Sequence, residues 1–229
     1  MTQRGAPPPN RTVRTDFEAI YNERFGGKED YRRGVWRVLM EDFFARYVKG
    51  CDAVLDLGSG YGEFINEVQA SVCYGIDLNP AAGRHLNPNV QWLQQDSSQP
   101  WAVPDGGLDM VFTSNFLEHL PDEPHLLATL REAYRCLRPG GRLVALGPNY
   151  TYTAERYWEI PDHYLALSDD NLAAHLRSVG FTLERVIPKF LPFTMSDGRR
   201  YPLFMVRAYL RLPIAWTILG RQFLVVARK

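Results

Sequence analysis

The 229-residue chain has few of the features that mark special classes of protein. It contains no run of 18 apolar residues, so no segment is predicted to span a bilayer. Its Pro-rich first ten residues have no apolar core, which is not typical of a secretory signal. The three cysteines, Cys51, Cys73 and Cys136, form no CxxC pair and indicate neither a disulfide framework nor a zinc site. We therefore expect a reducing cytoplasm and predict no metal site.

The chain also has no excess of charge, because 26 Lys and Arg residues balance 26 Asp and Glu residues. A polyelectrolyte role such as coating nucleic acid is therefore not predicted. The composition, 45% hydrophobic and 23% charged, is typical of a globular protein. The charge is nevertheless uneven, since residues 185–229 contain nine basic residues and one acidic residue, a net charge of +8. The protein is thus predicted to have a basic carboxyl end.

The first 50 residues are predicted to form a tail and a helical cap. Residues 1–14 are rich in Pro and Gly and have little to bury, which predicts a disordered tail without a function. Val35–Val48 repeats apolar residues at a spacing of four, as an amphipathic helix does. A shorter helix over Asp16–Glu23 completes a cap of residues 15–50.

From residue 51 to 229, short apolar runs alternate with helical patterns. The predicted helices are near Glu63–Ala70, Asp122–Leu137 and Asp169–Val179. The predicted strands are Ala53–Leu57, Val72–Ile76, Val90–Leu93, Leu108–Thr113, Arg142–Leu146, Phe181–Ile187 and Phe223–Ala227, the last as an edge strand. This alternation predicts an α/β fold with a doubly wound, seven-stranded and mostly parallel sheet. Two segments do not follow this alternation, 148–168 and 191–220, and are interpreted as insertions that form a lid over the carboxyl edge of the sheet.

A glycine turn follows the first predicted strand and opens toward a helix. Gly58, Gly60 and Gly62 let the backbone approach a ligand where a Cβ would collide. A dinucleotide fingerprint would place Gly or Ala where this chain has Glu63, which argues against NAD. No nucleoside triphosphate loop of the G-x-x-x-x-G-K-[ST] form is present either.

Two acids end the next two strands. Asp77 lies about 20 residues after the glycine turn, where a carboxylate accepts hydrogen bonds from both hydroxyls of a ribose. Asp96 ends the third strand, where a carboxylate can accept a hydrogen bond from the exocyclic amine of adenine. The pattern therefore predicts a nucleoside ligand, although both acids also suit ordinary turns.

Five blocks occur in order along the chain: DLGSGYGEF, GIDLNP, QQDSS, DMVFTSNFLEHL and LRPGGRLVAL. Together they resemble the class I S-adenosylmethionine-dependent methyltransferases, of the type 11 kind, over about Val54–Leu146. The resemblance implies S-adenosylmethionine as cofactor. It implies that Asp56 and the Gly58–Gly62 turn hold the methionine part of this cofactor. Asp77 and Leu78 would then hold the ribose, and Asp96 and its neighbour the adenine. The turn after the fourth strand would lie next to the sulfonium. The residues so implied are Asp56, Gly58, Ser59, Gly60, Tyr61, Gly62, Asp77, Leu78, Asp96, Ser97, Asn115 and Phe116.

The acceptor side carries weaker signals. An alcohol acceptor needs a nucleophile held in line and a general base. The candidates are His119, which follows the fourth strand, and His163, which has Asp162 beside it. His119 is equally suited to cap the next helix, and neighbouring residues need not face each other. Four aromatic residues either form an acceptor pocket or simply pack a loop: Tyr150, Tyr152, Tyr157 and Trp158.

The basic segment Tyr201–Leu219 carries an apolar helical stripe formed by Leu203, Val206, Leu210 and Ile214, with Arg207 and Arg211 on another face. Arg200 and Arg207 are therefore candidates to bind an anionic or lipid-linked acceptor, or to lie at an anionic membrane surface. The alternative is a lid or a homodimer helix whose arginines are only solvated.

These observations predict a methyltransferase that acts on a small molecule, a sugar or a glycolipid, with oxygen as the methylated atom. Carbon and nitrogen acceptors are alternatives, as is a non-catalytic subunit that keeps the nucleoside-binding fold. RNA methylation is a further option, which a steep salt dependence of binding would support. No DNA substrate is expected, because Asn149-Tyr150 lacks the prolines of an amide-recognition motif. The expected location is cytoplasmic, with peripheral contact at the inner membrane surface as an option.

Overall fold

The computed structural model describes residues 12–16, 19, 27, 29–193 and 200–229. Most of the predicted tail and most of the predicted helix over Asp16–Glu23 lie outside the described residues. Within them, one seven-stranded sheet organises the chain. Its strands are β1 (Ala53–Leu57), β2 (Val72–Ile76), β3 (Val90–Leu93), β4 (Leu108–Ser114), β5 (Leu137–Pro148), β6 (Thr182–Leu191) and β7 (Gln222–Arg228).

The strands are arranged in the order β3-β2-β1-β4-β5-β7-β6, and the first five of these are parallel. β7 is antiparallel to both of its neighbours, β5 and β6. This confirms the doubly wound, mostly parallel sheet. The order of the last two strands differs from the expectation that Phe223–Ala227 is an edge strand. β7 lies between β5 and β6, and its residues 222–227 are all buried. β6, half of whose residues are exposed, forms the edge.

Helices cover both faces of the sheet. They are α1 (Glu29–Leu39), α2 (Ala45–Val48), α3 (Glu123–Cys136), α4 (Tyr150–Thr153), α5 (Asp169–Val179), α6 (Leu203–Leu210) and α7 (Pro213–Leu219). A π-helical turn over Met40–Phe44 joins α1 to α2, so the amphipathic pattern predicted for Val35–Val48 is one helical segment. α5 begins at a Ser168 capping box and ends at Gly180, whose φ of +115° favours glycine.

The core consists of two apolar layers, one on each face of the sheet. α1, α2 and the segment with α6 and α7 cover one face, with Phe43, Phe44 and Trp216 in the layer. α3 and α5 cover the other face, with Leu130 and Leu172 in that layer. Because side chains alternate along each strand, neighbouring residues of the central strands enter opposite layers.

Two helical predictions were wrong in detail. The helix expected near Glu63–Ala70 is a single 3-10 turn, Ile65–Glu67. Here the Asn66 side chain bonds the backbone of His85 and Asn87, which ties the segment to the turn after β2 instead of continuing a helix. The apolar stripe expected along Tyr201–Leu219 is divided between α6 and α7, because α7 begins anew at a proline.

The parallel strands all end at one edge of the sheet, which brings the loops after β1, β2, β3 and β4 together. Ligands of doubly wound sheets bind at such an edge, where the strand order reverses between β1 and β4. Among the described helices, none combines the length and the apolar character needed to cross a membrane.

Candidate functional site

A cavity of about 280 Å³ opens at this carboxyl edge of the sheet. The glycine turn after β1 and the ends of β2, β3 and β4 form one half of its wall. The other half comes from α1, from the turn after β4 and from residues 160–164. The cavity is thus placed where both a nucleoside and a second small molecule can meet.

The glycine turn forms the floor of this cavity. Gly58 has a φ of +72°, and a Cβ built there would lie 2.3 Å from the Phe116 ring. Gly60 also has a positive φ, and its N–H donates to Oδ2 of Asp77 at 2.8 Å. The backbone here lies closer to its neighbours than any side chain permits, which is the arrangement that cradles a polar ligand.

Asp77 and Asp96 hold the positions that the sequence predicts for contacts with a nucleoside. Both line the cavity, as do Leu78 and Ser97 beside them. The Asp77 carboxylate accepts from the N–H groups of Gly60 and Asn79, each at 2.8 Å, and is therefore fixed at the end of β2. Oδ1 of Asp96 accepts from the backbone and hydroxyl of Ser98, both at 2.8 Å.

Asp56 is the last but one residue of β1, lines the cavity and is 4% exposed. Burial raises the pKa of its carboxyl well above the ordinary value, and the neighbouring charges of Glu63 and Asp77 raise this pKa further. A carboxylate that is destabilised in this way gains from a cationic ligand group in the same cavity. The methionine part of S-adenosylmethionine carries such a group, an ammonium.

Two further polar atoms fit a bound ligand. Ser59 Oγ and Gln222 Oε1 are buried and have no hydrogen-bond partner among the described residues, and both residues line the cavity. Buried polar atoms are usually paired, so these two atoms indicate a missing partner. Together with the glycine cradle and the three acids, they make the residues present compatible with S-adenosylmethionine.

The turn after β4 holds the next predicted residues. Asn115 has a φ of +50°, a conformation that Asn tolerates better than most residues, and Phe116 covers Gly58. Both line the cavity. Tyr61 and Gly62 do not belong to the residues that line it. The Tyr61 ring stacks on His85 at 3.9 Å, and a Cβ at Gly62 would meet Leu86 and Asn66.

Several residues of the amino-terminal segment also line the cavity, which the sequence analysis did not predict. Arg32 of α1 lies beside the glycine turn and pairs with Glu63 at 2.6 Å. Trp36, one turn further along α1, lines the cavity as well. Val13 and Arg14 do so too, and the Arg14 N–H donates to the Tyr164 hydroxyl at 2.8 Å. This part of the expected tail is therefore ordered against the site.

Four polar residues lie close together in another part of the cavity wall. They are Glu118 and His119 after β4, and Asp162 and His163 of the first insertion, and all four line the cavity. Nδ1 of His119 lies 2.6 Å from the Asp162 carbonyl oxygen and 3.3 Å from its carboxylate. The two imidazole rings lie 5.0 Å apart. Thus the structure brings the two predicted histidines together, with an acid beside each.

Glu118 was missed as a site residue, although it is 1% exposed and lies at the centre of this group. Its Oε1 is 4.0 Å from Nε2 of His119 and 4.0 Å from Nε2 of His163. Its backbone oxygen accepts from the N–H groups of Tyr164 and Leu165. This joins the turn after β4 to the insertion. A Glu-His pair directly after a strand could have indicated a site residue at Glu118, but the sequence does not show which distant residues this pair contacts.

The predicted substrate-binding residues lie outside the set that lines the cavity. Tyr150, Tyr157 and Trp158 form an aromatic group behind His163, with the rings of Tyr157 and His163 4.5 Å apart. Burial raises the pKa of the Tyr157 hydroxyl, which bonds the Leu165 carbonyl oxygen and stays protonated. Tyr152 lies under the Lys189 ammonium.

The two arginines predicted to bind substrate contact other parts of the protein. Arg207 pairs with Glu41 and Asp42 of the π-helical turn, and Arg200 donates to the Gly27 carbonyl oxygen at 2.9 Å. Their contacts hold the second insertion against the amino-terminal segment. Whether they also contact an acceptor stays a prediction.

Comparisons with known proteins identify the family of the chain. A family model described as a methyltransferase domain matches residues 28–186. The 27-O-demethylrifamycin SV methyltransferase of Amycolatopsis mediterranei is 31% identical over 156 residues, covering 58% of this chain and 55% of that protein. Trans-aconitate 2-methyltransferase of Deinococcus radiodurans is 35% identical over 113 residues, covering 45% of this chain and 41% of that protein. The chain spans about half the length of the curated relatives it matches.

Solved structures share the fold. An S-adenosylmethionine-dependent methyltransferase from Archaeoglobus fulgidus superposes with a TM-score of 0.65 at 21% identity, covering 93% of this chain and 99% of that one. One from Mesorhizobium loti gives 0.59 at 19% identity, covering 84% and 98%. The strand order, the glycine turn and the matched family model lead to one conclusion. The chain belongs to the class I S-adenosylmethionine-dependent methyltransferases.

Proposed function

We propose that the protein transfers the methyl group of S-adenosylmethionine to an oxygen atom of a small-molecule, sugar or glycolipid acceptor. The observation that carries the proposal is the shared cavity. Its lining includes the acids Asp56, Asp77 and Asp96, called the donor end below, and the group of Glu118, His119 and His163, called the acceptor end. Methyl transfer requires the sulfonium carbon and the acceptor atom in line, and one cavity with two chemically distinct ends supports that arrangement.

In this proposal the donor lies along the carboxyl edge of β1, β2 and β3. Asp77 accepts from the ribose hydroxyls and Asp96 from the adenine amine. Asp56 faces the ammonium of the methionine part. We add Arg32 to this set, because it lines the cavity beside Glu63 and a guanidinium is the natural partner of the donor carboxylate.

The acceptor hydroxyl is held at His119 and His163. An oxygen nucleophile must lose its proton as it attacks, and imidazoles and carboxylates are the side chains that assist this loss. Asp162 acts as a positioning residue, since its carbonyl oxygen and carboxylate fix the ring of His119. The relative from Amycolatopsis, whose name specifies an O-methyl product, supports oxygen as the acceptor atom.

Carbon is the alternative acceptor atom. A ubiquinone/menaquinone biosynthesis C-methyltransferase of Dinoroseobacter shibae is 31% identical over 126 residues, covering 49% of this chain and 48% of that protein. A carbon nucleophile of a phenol or quinol also profits from a nearby base, so the same polar group suits both reactions. The two reactions are distinguished by the atom of the product that carries the new methyl group.

The test uses S-adenosylmethionine labelled in its methyl group and three acceptor sets: hydroxylated sugars and phenols, quinols with a free ring carbon, and amines. We expect label in a methyl ether. We also expect His119→Gln to lower turnover by roughly 10²- to 10⁴-fold with unchanged donor affinity, as for loss of acid–base assistance. His175→Gln, on the far helix α5, is the matched control. Label in C-methyl or N-methyl products would overturn the oxygen assignment. Donor binding without label in any set would favour the non-catalytic subunit.

We further propose that the carboxyl-terminal apolar face docks on an anionic membrane surface. This face consists of the exposed apolar side chains of α6, α7 and the residues next to them: Tyr201, Leu203, Phe204, Met205, Leu212, Ile214, Ile218 and Leu219. Phe204 and Ile214 are each 71% exposed, which is unusual for large apolar side chains in a contiguous segment. The +8 charge of residues 185–229 complements an anionic surface.

This docking is tested by cosedimentation with phosphatidylglycerol and phosphatidylcholine vesicles. We expect binding to the anionic vesicles only, with loss in the double variant Phe204→Ser, Ile214→Ser. Val186→Ser, an exposed apolar residue on β6, is the control. No binding to anionic vesicles would contradict the proposal. A stable dimer in sedimentation velocity that the double variant abolishes would assign the face to a second copy of the chain instead.

A further inference from the structure

The three side chains at the acceptor end of the cavity have the composition of a metal site. One oxygen of Glu118 and one ring nitrogen each of His119 and His163 lie within 4.8 Å of one another. The Glu118 carboxylate oxygen is 4.0 Å from Nε2 of each histidine. These N···O distances exceed those of hydrogen bonds, which are about 2.7–3.2 Å. They are instead near the separation of two ligands that share one cation.

We propose that Glu118, His119 and His163 bind a divalent transition-metal cation. A cation with bonds of about 2.0–2.2 Å to N and O ligands requires pairs of ligand atoms roughly 3.3 Å apart in tetrahedral geometry. Each N···O pair must therefore close by several tenths of an ångström, which small rotations of the three side chains achieve. Two imidazoles and one carboxylate favour Zn²⁺, Mn²⁺, Fe²⁺ or Co²⁺ over Mg²⁺ and Ca²⁺, which prefer oxygen ligands.

The surroundings of His119 match those of a ligating imidazole. Its Nδ1 faces the carbonyl oxygen and carboxylate of Asp162, so Nε2 is the nitrogen that faces Glu118. Metal-bound histidines nearly always donate their second ring N–H to such an oxygen, which fixes the tautomer and the ring orientation. Asp162 would thus act as an outer-shell partner and contact no metal.

Burial supplies a second argument. Glu118 and His163 are each 1% exposed, yet both line the cavity. A carboxylate that is removed from water is stabilised by a cation in contact with it. The ligands come from two segments that the backbone oxygen of Glu118 already joins through Tyr164 and Leu165. The site is therefore assembled before any cation enters.

Three protein ligands leave at least one coordination position toward the cavity. There the cation takes the hydroxyl oxygen of the acceptor and lowers the pKa of that hydroxyl, whose proton passes to water. With the cation bound, His119 and His163 therefore assist proton loss as its ligands and do not take the proton themselves. The oxygen lone pair then forms the bond to the methyl carbon. The carbon–sulfur bond breaks with its electron pair on sulfur, leaving neutral S-adenosylhomocysteine. This catalytic use rests on the proposed O-methyl transfer, whereas binding of the cation does not.

The test titrates Co²⁺ into chelator-treated protein and follows its visible ligand-field absorption, with S-adenosylhomocysteine binding measured calorimetrically on the same samples. We expect one Co²⁺ per chain with absorption typical of N and O ligands. Glu118→Gln and His119→Gln should each weaken Co²⁺ binding by at least roughly 100-fold, more than the 10- to 100-fold loss usual for an outer-shell partner. His175→Gln should bind Co²⁺ as the wild type does.

The outcomes separate this inference from the proposed function. Absence of the absorption in wild-type protein that binds S-adenosylhomocysteine would overturn the cation site and leave the donor site intact. A band that persists in both variants would place the cation elsewhere and also overturn it. Co²⁺ binding lost in the variants, without any S-adenosylhomocysteine binding, would support the cation site and contradict the methyl-transfer proposal. Unchanged unfolding midpoints of the variants exclude misfolding as the cause of a loss.

Discussion

The two ends of the cavity are built in different ways. The donor end uses residues within a few positions of the ends of β1, β2 and β3, such as Asp56, Asp77 and Asp96. The acceptor end combines residues from the amino-terminal segment, the turn after β4 and the first insertion, for example Arg14, His119 and His163. The strand ends form a fixed frame, while the acceptor end depends on how inserted segments fold over that frame.

This difference explains what the sequence predicts. At the donor end the three acids proposed to bind the donor lie at or shortly after the end of an apolar strand and before a turn, so local pattern places them at the sheet edge. Asp77 after Val72–Ile76 is an example. The sheet itself was predictable for the same reason, since its strands are short buried runs separated by helices.

At the acceptor end local pattern is insufficient. His119 and His163 are 44 positions apart, and their contact depends on the path of the insertion between β5 and α5. Arg32 was missed because its neighbours on α1 show only the periodicity of a packing helix. The position of β7 inside the sheet was missed too. Its apolar sequence shows that the strand is buried, but it does not show which strands lie beside it.

The largest expected effect comes from a change at the rigid donor end, Gly58→Ala. The added Cβ would lie 2.3 Å from the Phe116 ring, in addition to the strain of a positive φ. We expect loss of detectable donor binding and a stability loss of about 2–4 kcal/mol, from strain and overpacking. Denaturant unfolding and calorimetric titration measure both.

Gly50→Ala is the matched control, because Gly50 has a φ of +82° and open space around its Cβ position. The free energy of unfolding of this variant should fall by about 1 kcal/mol from backbone strain alone, and its donor affinity should be unchanged. Equal effects of the two substitutions would mean that close packing at Gly58 has no role in donor binding.

The next effect concerns pH and Asp56. Burial raises the pKa of this carboxyl in the donor-free protein, so at low pH it is protonated. A cationic donor favours the carboxylate, and we therefore expect donor affinity to rise as the pH rises through that pKa. Asp56→Asn should remove this dependence and weaken binding roughly 10- to 100-fold, as for loss of a charge-assisted hydrogen bond. Calorimetric titrations over a series of pH values above the ordinary carboxyl pKa measure it.

Asp56 also affects the stability of the donor-free protein, which, unlike donor binding, is favoured by the protonated carboxyl. Its folded pKa lies above the unfolded value, so the donor-free protein loses stability as the pH rises from the unfolded toward the folded pKa. Asp56→Asn removes that loss, and the donor-free variant should unfold at a higher temperature than the wild type at neutral pH. A lower midpoint for the variant would show that the charged form is already compensated in the folded protein.

The smallest of these effects is expected at Arg32, a residue of the predicted cap that the sequence did not mark as a donor contact. Arg32→Gln should weaken donor binding roughly tenfold, because one charge-assisted contact to the donor carboxylate is lost. Arg33→Gln, the exposed neighbour on α1 that pairs with Asp30, is the control and should bind normally. If both variants bind the donor like the wild type, the amino-terminal cap contributes no donor contact.

The most direct test of the account is thermal unfolding with and without S-adenosylhomocysteine, for wild type and for Asp77→Ala. A ligand at 100 times its Kd adds about 2.7 kcal/mol, which should raise the midpoint of the wild type by roughly 5–10 °C. Asp77→Ala should unfold cooperatively and show no such shift, while Asp170→Ala on α5 should keep it. A wild type that unfolds cooperatively without any shift, after removal of co-purified ligand, would contradict the assignment of this sheet edge to the donor.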